Sequence, residues 1–155
     1  MSSVPVLLCG KSPMLAQGFM SALSSTYDVV HVCHDTSSAR REIPALLAGE
    51  SIQPSSGLGS NANSDSKHRA PRAIIVGKGF SEDEVETMRG YEGADKVPWL
   101  VPDDAKMTWS RIGKVAVTAG TALPGIVADR VDACMKEHGL VPGNESDVKG
   151  GVWGF

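Results

Sequence analysis

The sequence predicts a three-layer α/β domain with a mainly parallel sheet of four or five strands. Short, almost continuous apolar runs, typical of strands buried on both faces, alternate with amphipathic segments of helical length. Such an alternation joins parallel strands through right-handed crossovers and places helices on both faces of the sheet. With 155 residues, the chain has the size of one domain with a substantial core. We therefore expect residues 1–155 to form a single domain.

The first half of the chain predicts two strands and two helices. Val4–Cys9 (VPVLLC) predicts the first strand, and Ser12–Pro13 supply an N-cap and a first helical residue for the helix that follows. Tyr27–Cys33 (YDVVHVC) predicts the second strand. Thr36–Leu47 predicts the second helix, in which we expect Pro44 to cause a kink or a break.

A polar segment separates the two halves. Residues 50–69 (ESIQPSSGLGSNANSDSKHR) are rich in Ser, Asn and Gly and nearly lack large apolar side chains. Burial cannot offset the ordering entropy of such a segment, so we predict a mobile loop insertion outside the core. Two interpretations stay open, a tolerated insertion and a lid over a ligand.

The second half predicts two or three further strands and two helices. Pro71–Val76 (PRAIIV) and Val97–Val101 (VPWLV) predict the third and fourth strands. Ser81 followed by Glu84 predicts a capping box at the start of the helix between them. Lys114–Thr118 (KVAVT) predicts either a fifth strand or the start of a helix.

The end of the chain predicts a long amphipathic helix and an aromatic tail. Leu123–His138 has helical apolar spacing, and Gly139 is a suitable C-cap. Residues 141–155 form the predicted tail, which carries Trp153 and Phe155. Because exposed aromatic side chains are costly, we expect this tail to dock on its own subunit or on a neighbour. We predict a homodimer, with the tail or the last helix in the contact.

Composition excludes several classes of protein. A net charge of −3 with mixed signs argues against a nucleic-acid binder. The three cysteines are widely spaced, which excludes a closed disulfide framework and a CxxC zinc site and suits a reducing compartment. No apolar run reaches the roughly 18 residues of a membrane span, and we recognise no secretory signal. We predict a cytoplasmic protein without membrane or nucleic-acid partners.

The residues that follow the strands predict a binding site. Ligands of open parallel sheets bind outside the carboxyl ends of the strands, near the point where strand order reverses. Glycines there allow close approach of the backbone, and lysines near helix N-termini favour anions. The predicted binding residues are Gly10, Lys11, Ser12, Asp35, Gly77 and Lys78. The expected ligand is nucleotide-like or another anionic small molecule; the alternative is that these turns need glycine for geometry and the lysines are merely solvated.

The first βαβ unit also carries a family resemblance. VLLCGKSPMLAQGF followed by YDVVHVCHD resembles the first unit of Rossmann NAD(P)-binding proteins, especially the atypical short-chain dehydrogenase and NmrA-like group. The resemblance implies a Rossmann-like fold, an NAD(P) cofactor, Gly10 as the first motif glycine and Asp35 as the ribose-binding acid. The glycine motif is degenerate, because Pro13 and Ala16 occupy its next two positions.

Two catalytic motifs are absent from the chain. The GKS at Gly10–Ser12 is not a P-loop, since Pro5 stands where that motif requires glycine. The YxxxK pair of the resembled dehydrogenases is also missing, because His31 follows Tyr27 and Asp95 follows Tyr91 at that spacing. The element order resembles response-regulator receiver domains as well, but the acids of their phosphorylation site are replaced here. That second resemblance implies a non-catalytic interaction module.

A third hypothesis is an enzyme without a cofactor. His34 and Asp35, at the end of the second strand, are the candidate acid–base pair of a small-molecule isomerase or cyclase. His31 and His34 are three residues apart on a strand and point to opposite faces, so no metal site is predicted. Whether the protein is an enzyme stays open at this point.

Overall fold

The computed structural model describes residues 3–62, 69–77, 79–103, 122–144 and 148–155. Within these ranges one five-stranded sheet has the order β2-β1-β3-β4-β5, and every pair of neighbouring strands is parallel. The strands are β1 Val4–Cys9, β2 Tyr27–Cys33, β3 Ile74–Val76, β4 Pro98–Val101 and β5 Gly151–Gly154. The predicted α/β fold with a mainly parallel sheet is confirmed.

Helices cover both faces of the sheet. In the described part of the chain they are α1 Pro13–Ala22, α2 Thr36–Leu47, α3 Glu82–Arg89 and α4 Ala122–Glu137. Buried residues of α1 and α4 form one apolar cluster with one side of the strands, and those of α2 and α3 form a second cluster with the other side. The alternating side chains of parallel strands feed both clusters, which is why these strands are apolar throughout. The three-layer prediction is confirmed.

The predicted helix signals act as expected. The Ser12 hydroxyl caps α1, with Pro13 in the first turn. Ser81 and Glu84 form a reciprocal capping box at the start of α3. Pro44, in contrast, neither breaks nor ends α2, which continues to Leu47.

Part of the predicted loop insertion covers the outer edge of β2. The Ser56 hydroxyl donates a hydrogen bond to the Val32 carbonyl oxygen at 2.7 Å, and the Gly59 backbone lies directly against Val30. Asn61 is buried in the same segment. Contacts of this kind hinder pairing of the edge strand with another chain. The mobility of residues 50–69 stays a prediction.

The fifth strand lies in the predicted tail. Gly151–Gly154 pairs with β4, and the Phe155 N–H donates to the Val101 carbonyl at 3.0 Å. Phe155 is fully buried, and Trp153 stacks on His138 with ring centroids 4.2 Å apart. The tail therefore docks on its own subunit, one of the two predicted arrangements. The segment Lys114–Thr118 lies outside the described residues.

Within the described ranges, no helix combines the length and the apolar character that a membrane crossing demands.

Candidate functional site

A cavity of about 220 Å³ opens at the carboxyl ends of β1 and β3. In the strand order β2-β1-β3, the next strand of the chain after β1 is β2, which lies along one edge of β1. The later strands β3, β4 and β5 lie beyond its other edge. The boundary between β1 and β3 is therefore the switch point at which open parallel sheets bind ligands. The turns after β1 and β3 form the mouth of this cavity, and α1 and α4 form a wall.

Four of the six predicted binding residues line this cavity. They are Gly10, Lys11, Ser12 and Gly77. Asp35 is not among the described lining residues, and Lys78 lies outside the described residues. The structure thus brings together the turns after the first and third strands, whereas binding by these residues stays a prediction.

The interior of the cavity is apolar. Its walls include Leu8, Phe19, Ile75, Val127 and Phe155. Among the described lining residues, only Lys11 and Ser12 have polar side chains, and both follow Gly10 in the turn after β1. This arrangement suits a ligand that places an apolar body inside and a polar or charged end at the mouth.

Lys11 supplies the positive charge at the mouth and already has an acidic partner. Its Nζ lies 2.9 Å from Glu84 Oε1 and 5.0 Å from the centre of the Phe80 ring. The hydrogen bond from the Ser81 N–H lowers the pKa of Glu84, and the bond from Lys11 lowers it further. The carboxylate is therefore ionised at neutral pH. Because the pair is solvent-exposed, it is weak.

The N-terminus of α1 is largely occupied by its own capping bonds. The Ser12 hydroxyl accepts the Leu15 N–H at 3.3 Å, and the Ser12 carbonyl accepts the Ala16 N–H at 2.9 Å. Pro13 has no N–H to offer. These bonds leave few backbone donors of the first turn for a pyrophosphate.

His34 and Asp35 have structural partners. His34 Nδ1 lies 2.6 Å from the Gly10 carbonyl oxygen and links the ends of β1 and β2. The Asp35 carboxylate caps α2 by accepting the Ser38 N–H at 2.7 Å. Bonds from Ser38 lower the pKa of Asp35, so it is a carboxylate rather than an acid at neutral pH. An acid–base role of this pair stays a prediction that this geometry does not favour.

A second polar cluster lies between β2 and α2. His31 and Glu42 are both fully buried, and His31 Nε2 lies 2.6 Å from Glu42 Oε1. Ser55 adds its N–H at 3.1 Å and its hydroxyl at 2.5 Å to the Glu42 carboxylate. One ligand atom each of His31, Cys33 and Glu42 falls within 4.8 Å of the others.

The sequence predictions name neither Cys33 nor Glu42 as a site residue. The available signal is the spacing of two between His31 and Cys33, which places both on one face of a strand. Glu42 lies on the inner face of α2 beside the apolar Ile43 and Leu46, an unusual place for a carboxylate. Cys9 and Cys33 are both fully buried, and burial raises the pKa of both thiols.

The sequence also resembles a known protein over most of its length. The chain is 30% identical over 142 residues to Kojic acid related protein 6 of Aspergillus oryzae (strain ATCC 42149 / RIB 40), and the alignment spans 90% of this chain and 82% of that protein. The chain belongs to the family of that protein. No family model matches the sequence, and no solved structure matches it significantly. The resemblance to NAD(P)-binding proteins is left untested by these comparisons.

Proposed function

We propose that the protein binds a compact small molecule, with an apolar body and an anionic end, in the cavity between the ends of β1 and β3. The observation that carries this proposal is the coincidence of an apolar cavity with the switch point of the sheet. The proposal narrows the expectation of a nucleotide-like or anionic ligand to small anions.

The size of the cavity supports a ligand below drug size. Its volume of about 220 Å³ exceeds that of a roughly 150 Å³ cavity that takes up benzene. It lies below the roughly 300–1,000 Å³ of pockets that enclose drug-sized molecules. One ring with a few substituents, or a short acyl group, fills such a space. A dinucleotide could insert only one end.

The charge at the mouth supports an anionic end. Lys11 lines the cavity, and its exposed pair with Glu84 can be exchanged for a ligand at little cost. A carboxylate or an ionised enol would take the position of Glu84 beside the ammonium group. Glycine turns at Gly10 and Gly77 leave the backbone accessible on either side.

The name of the relative supplies one compound for testing. Kojic acid related protein 6 is associated by its name with kojic acid, which is a small single-ring molecule. We include kojic acid as a probe because its size suits the cavity.

Three alternatives remain proposals. NAD(P) binding rests on the family resemblance, a cofactor-free isomerase or cyclase rests on His34 and Asp35, and a non-catalytic interaction module rests on the degenerate motif.

A homodimer and a cytoplasmic location likewise stay proposals. Light scattering at micromolar concentration tests the dimer, and a mass near 16.3 kDa would contradict it.

Titration calorimetry with a panel of probes tests the proposal. The panel comprises kojic acid, benzoate, acetyl-CoA, NAD(H) and NADP(H). We expect at least one of the two small probes to bind more tightly than the dinucleotides. Ala16→Leu, which adds a branched chain to a buried wall residue, should weaken that binding at least tenfold.

Two lysine variants test the charge. Lys11→Met should weaken binding of an anionic probe roughly tenfold, because it removes the cation at the mouth. Lys136→Met is the matched control, since Lys136 also forms a 2.9 Å ion pair, with Asp132, near the far end of α4. Absence of binding by every probe would overturn the small-molecule proposal and favour the interaction module. Tight NAD(H) binding would favour the dinucleotide instead.

A further inference from the structure

The buried cluster between β2 and α2 contains a nitrogen, a sulfur and an oxygen donor. His31 and Cys33 project from the same face of β2, and Glu42 meets them from α2. All three side chains are buried in the described structure. Their candidate ligand atoms lie within 4.8 Å of one another.

Burial of these polar groups costs free energy unless neighbouring groups replace the hydration that they lose. A carboxylate that is 1% exposed loses nearly all its hydration and needs strong partners. Two hydrogen bonds from Ser55, a contact with His31, and the Arg41 guanidinium 4.0 Å from Glu42 Oε2 supply them. The adjacent Cys33 thiol places a sulfur donor beside a histidine and a carboxylate.

The donor set favours zinc over magnesium and calcium. Zinc binds histidine nitrogen, cysteine sulfur and carboxylate oxygen, whereas magnesium and calcium select oxygen donors only. In a tetrahedral zinc site, neighbouring donor atoms lie roughly 3.3–3.8 Å apart. The donor atoms here would close in by about 1.0–1.5 Å at most, and His31 Nε2 and Glu42 Oε1 would separate by about 0.7 Å.

We propose that His31, Cys33 and Glu42 bind one zinc ion, which fastens the loop over β2 to the sheet. Ser55 orients the carboxylate through its N–H and hydroxyl, so the metal site and the loop depend on each other. The site is independent of the cavity, because it lies between β2 and α2 rather than at the β1–β3 switch point.

Binding must release protons. Cys33 coordinates as a thiolate, so its thiol proton leaves when the Zn–S bond forms, and any proton shared by His31 and Glu42 leaves as well. Zinc affinity should therefore fall as pH decreases.

Titration of the full-length protein with Co²⁺ and Zn²⁺, after removal of metal by a chelator, tests the proposal. Native mass spectrometry should show one ion per chain. Co²⁺ should produce a thiolate-to-cobalt charge-transfer band that Zn²⁺ abolishes by displacement. At a Zn²⁺ concentration of 100 times Kd, Tm should rise by roughly 5–10 °C.

Matched variants separate the cluster from other thiols. Cys33→Ala should remove the charge-transfer band, whereas Cys134→Ala, a buried cysteine on the other side of the sheet, should keep it. Glu42→Gln, nearly isosteric, should weaken Zn²⁺ binding at least tenfold while circular dichroism shows a folded protein. The proposal is wrong if the unmodified protein binds neither ion, or if the band persists in Cys33→Ala.

Discussion

The close contact of Gly59 with β2 allows a specific prediction about residues 50–62, which cover this edge strand. Gly59 has a φ of +110°, and an added Cβ would lie 2.6 Å from the backbone nitrogen of His31. Carbon and nitrogen atoms that are not bonded normally stay beyond about 3.4 Å. Because the obstacle is backbone, it cannot rotate away. Gly59→Ala should therefore release the loop from the strand.

The size of the effect follows from the contacts that would be lost. Ser55 donates two hydrogen bonds to Glu42, Ser56 donates one to a β2 carbonyl, and Ser60 donates one to Asp28 at 2.8 Å. At about 1 kcal/mol for each net hydrogen bond, these contacts contribute about 4 kcal/mol. Release of the loop returns part of this as chain entropy. We expect the free energy of unfolding to fall by about 2–4 kcal/mol.

Gly57 supplies the matched control. Its φ is +73°, but an added Cβ would have no neighbour within 4 Å. Gly57→Ala should therefore show only the backbone strain of an L-residue, about 1–2 kcal/mol. Urea unfolding measures both losses, and limited proteolysis of residues 50–62 reports release of the loop. Equal losses in the two variants, or a protected loop in Gly59→Ala, would refute the argument.

Three further predictions concern the rest of the fold. Asp35→Ala should lower the free energy of unfolding by about 1 kcal/mol at neutral pH, because the α2 cap is lost. The difference in stability between this variant and the unmodified protein should disappear as the pH falls below about 4, because Asp35, whose pKa is lowered in the folded protein, stabilises it only while ionised. Urea unfolding between pH 2 and 7 measures this difference. Gly18→Ala should cost about 1–3 kcal/mol in thermal unfolding, since its Cβ would lie 2.9 Å from Pro124 across the contact of α1 with α4. Trp99→Ala should cost about 3–5 kcal/mol by urea unfolding, because the buried indole fills the core and donates to the Ala94 carbonyl at 2.7 Å; a loss below 1 kcal/mol would contradict its core position.

The element types were predictable where local signals and burial agree. The runs at Val4–Cys9 and Tyr27–Cys33 are apolar enough to define buried strands, and both are observed with the predicted bounds. The third strand is shorter than predicted and begins at Ile74. Its predicted first residue, Pro71, lacks an N–H for the ladder, and the Arg72 N–H donates to the Pro5 carbonyl before regular pairing begins.

Tertiary contacts decided the remaining elements. The sequence GVWG at Gly151–Gly154 has little strand propensity, and pairing with β4 makes it a strand. The polar segment over β2 resembles an unstructured loop in composition, but its hydroxyls bind backbone and carboxylate groups of neighbouring elements. Composition does not specify such partners. The same limit applies to Glu42, whose position opposite His31 depends on how α2 packs.

The contacts at the ends of the first two strands favour a compact ligand over a dinucleotide. A dinucleotide needs free N–H groups at the start of α1 for its pyrophosphate and an unengaged acid at the end of β2 for its ribose. Here Pro13 and the Ser12 cap occupy the first turn, and Asp35 caps α2. The crevice between the ends of β1 and β3 is nevertheless present, and Leu8, Phe19 and Phe155 give it an apolar interior. A molecule that needs apolar contact and a single charge at its mouth is therefore a better fit than one that needs a phosphate cradle.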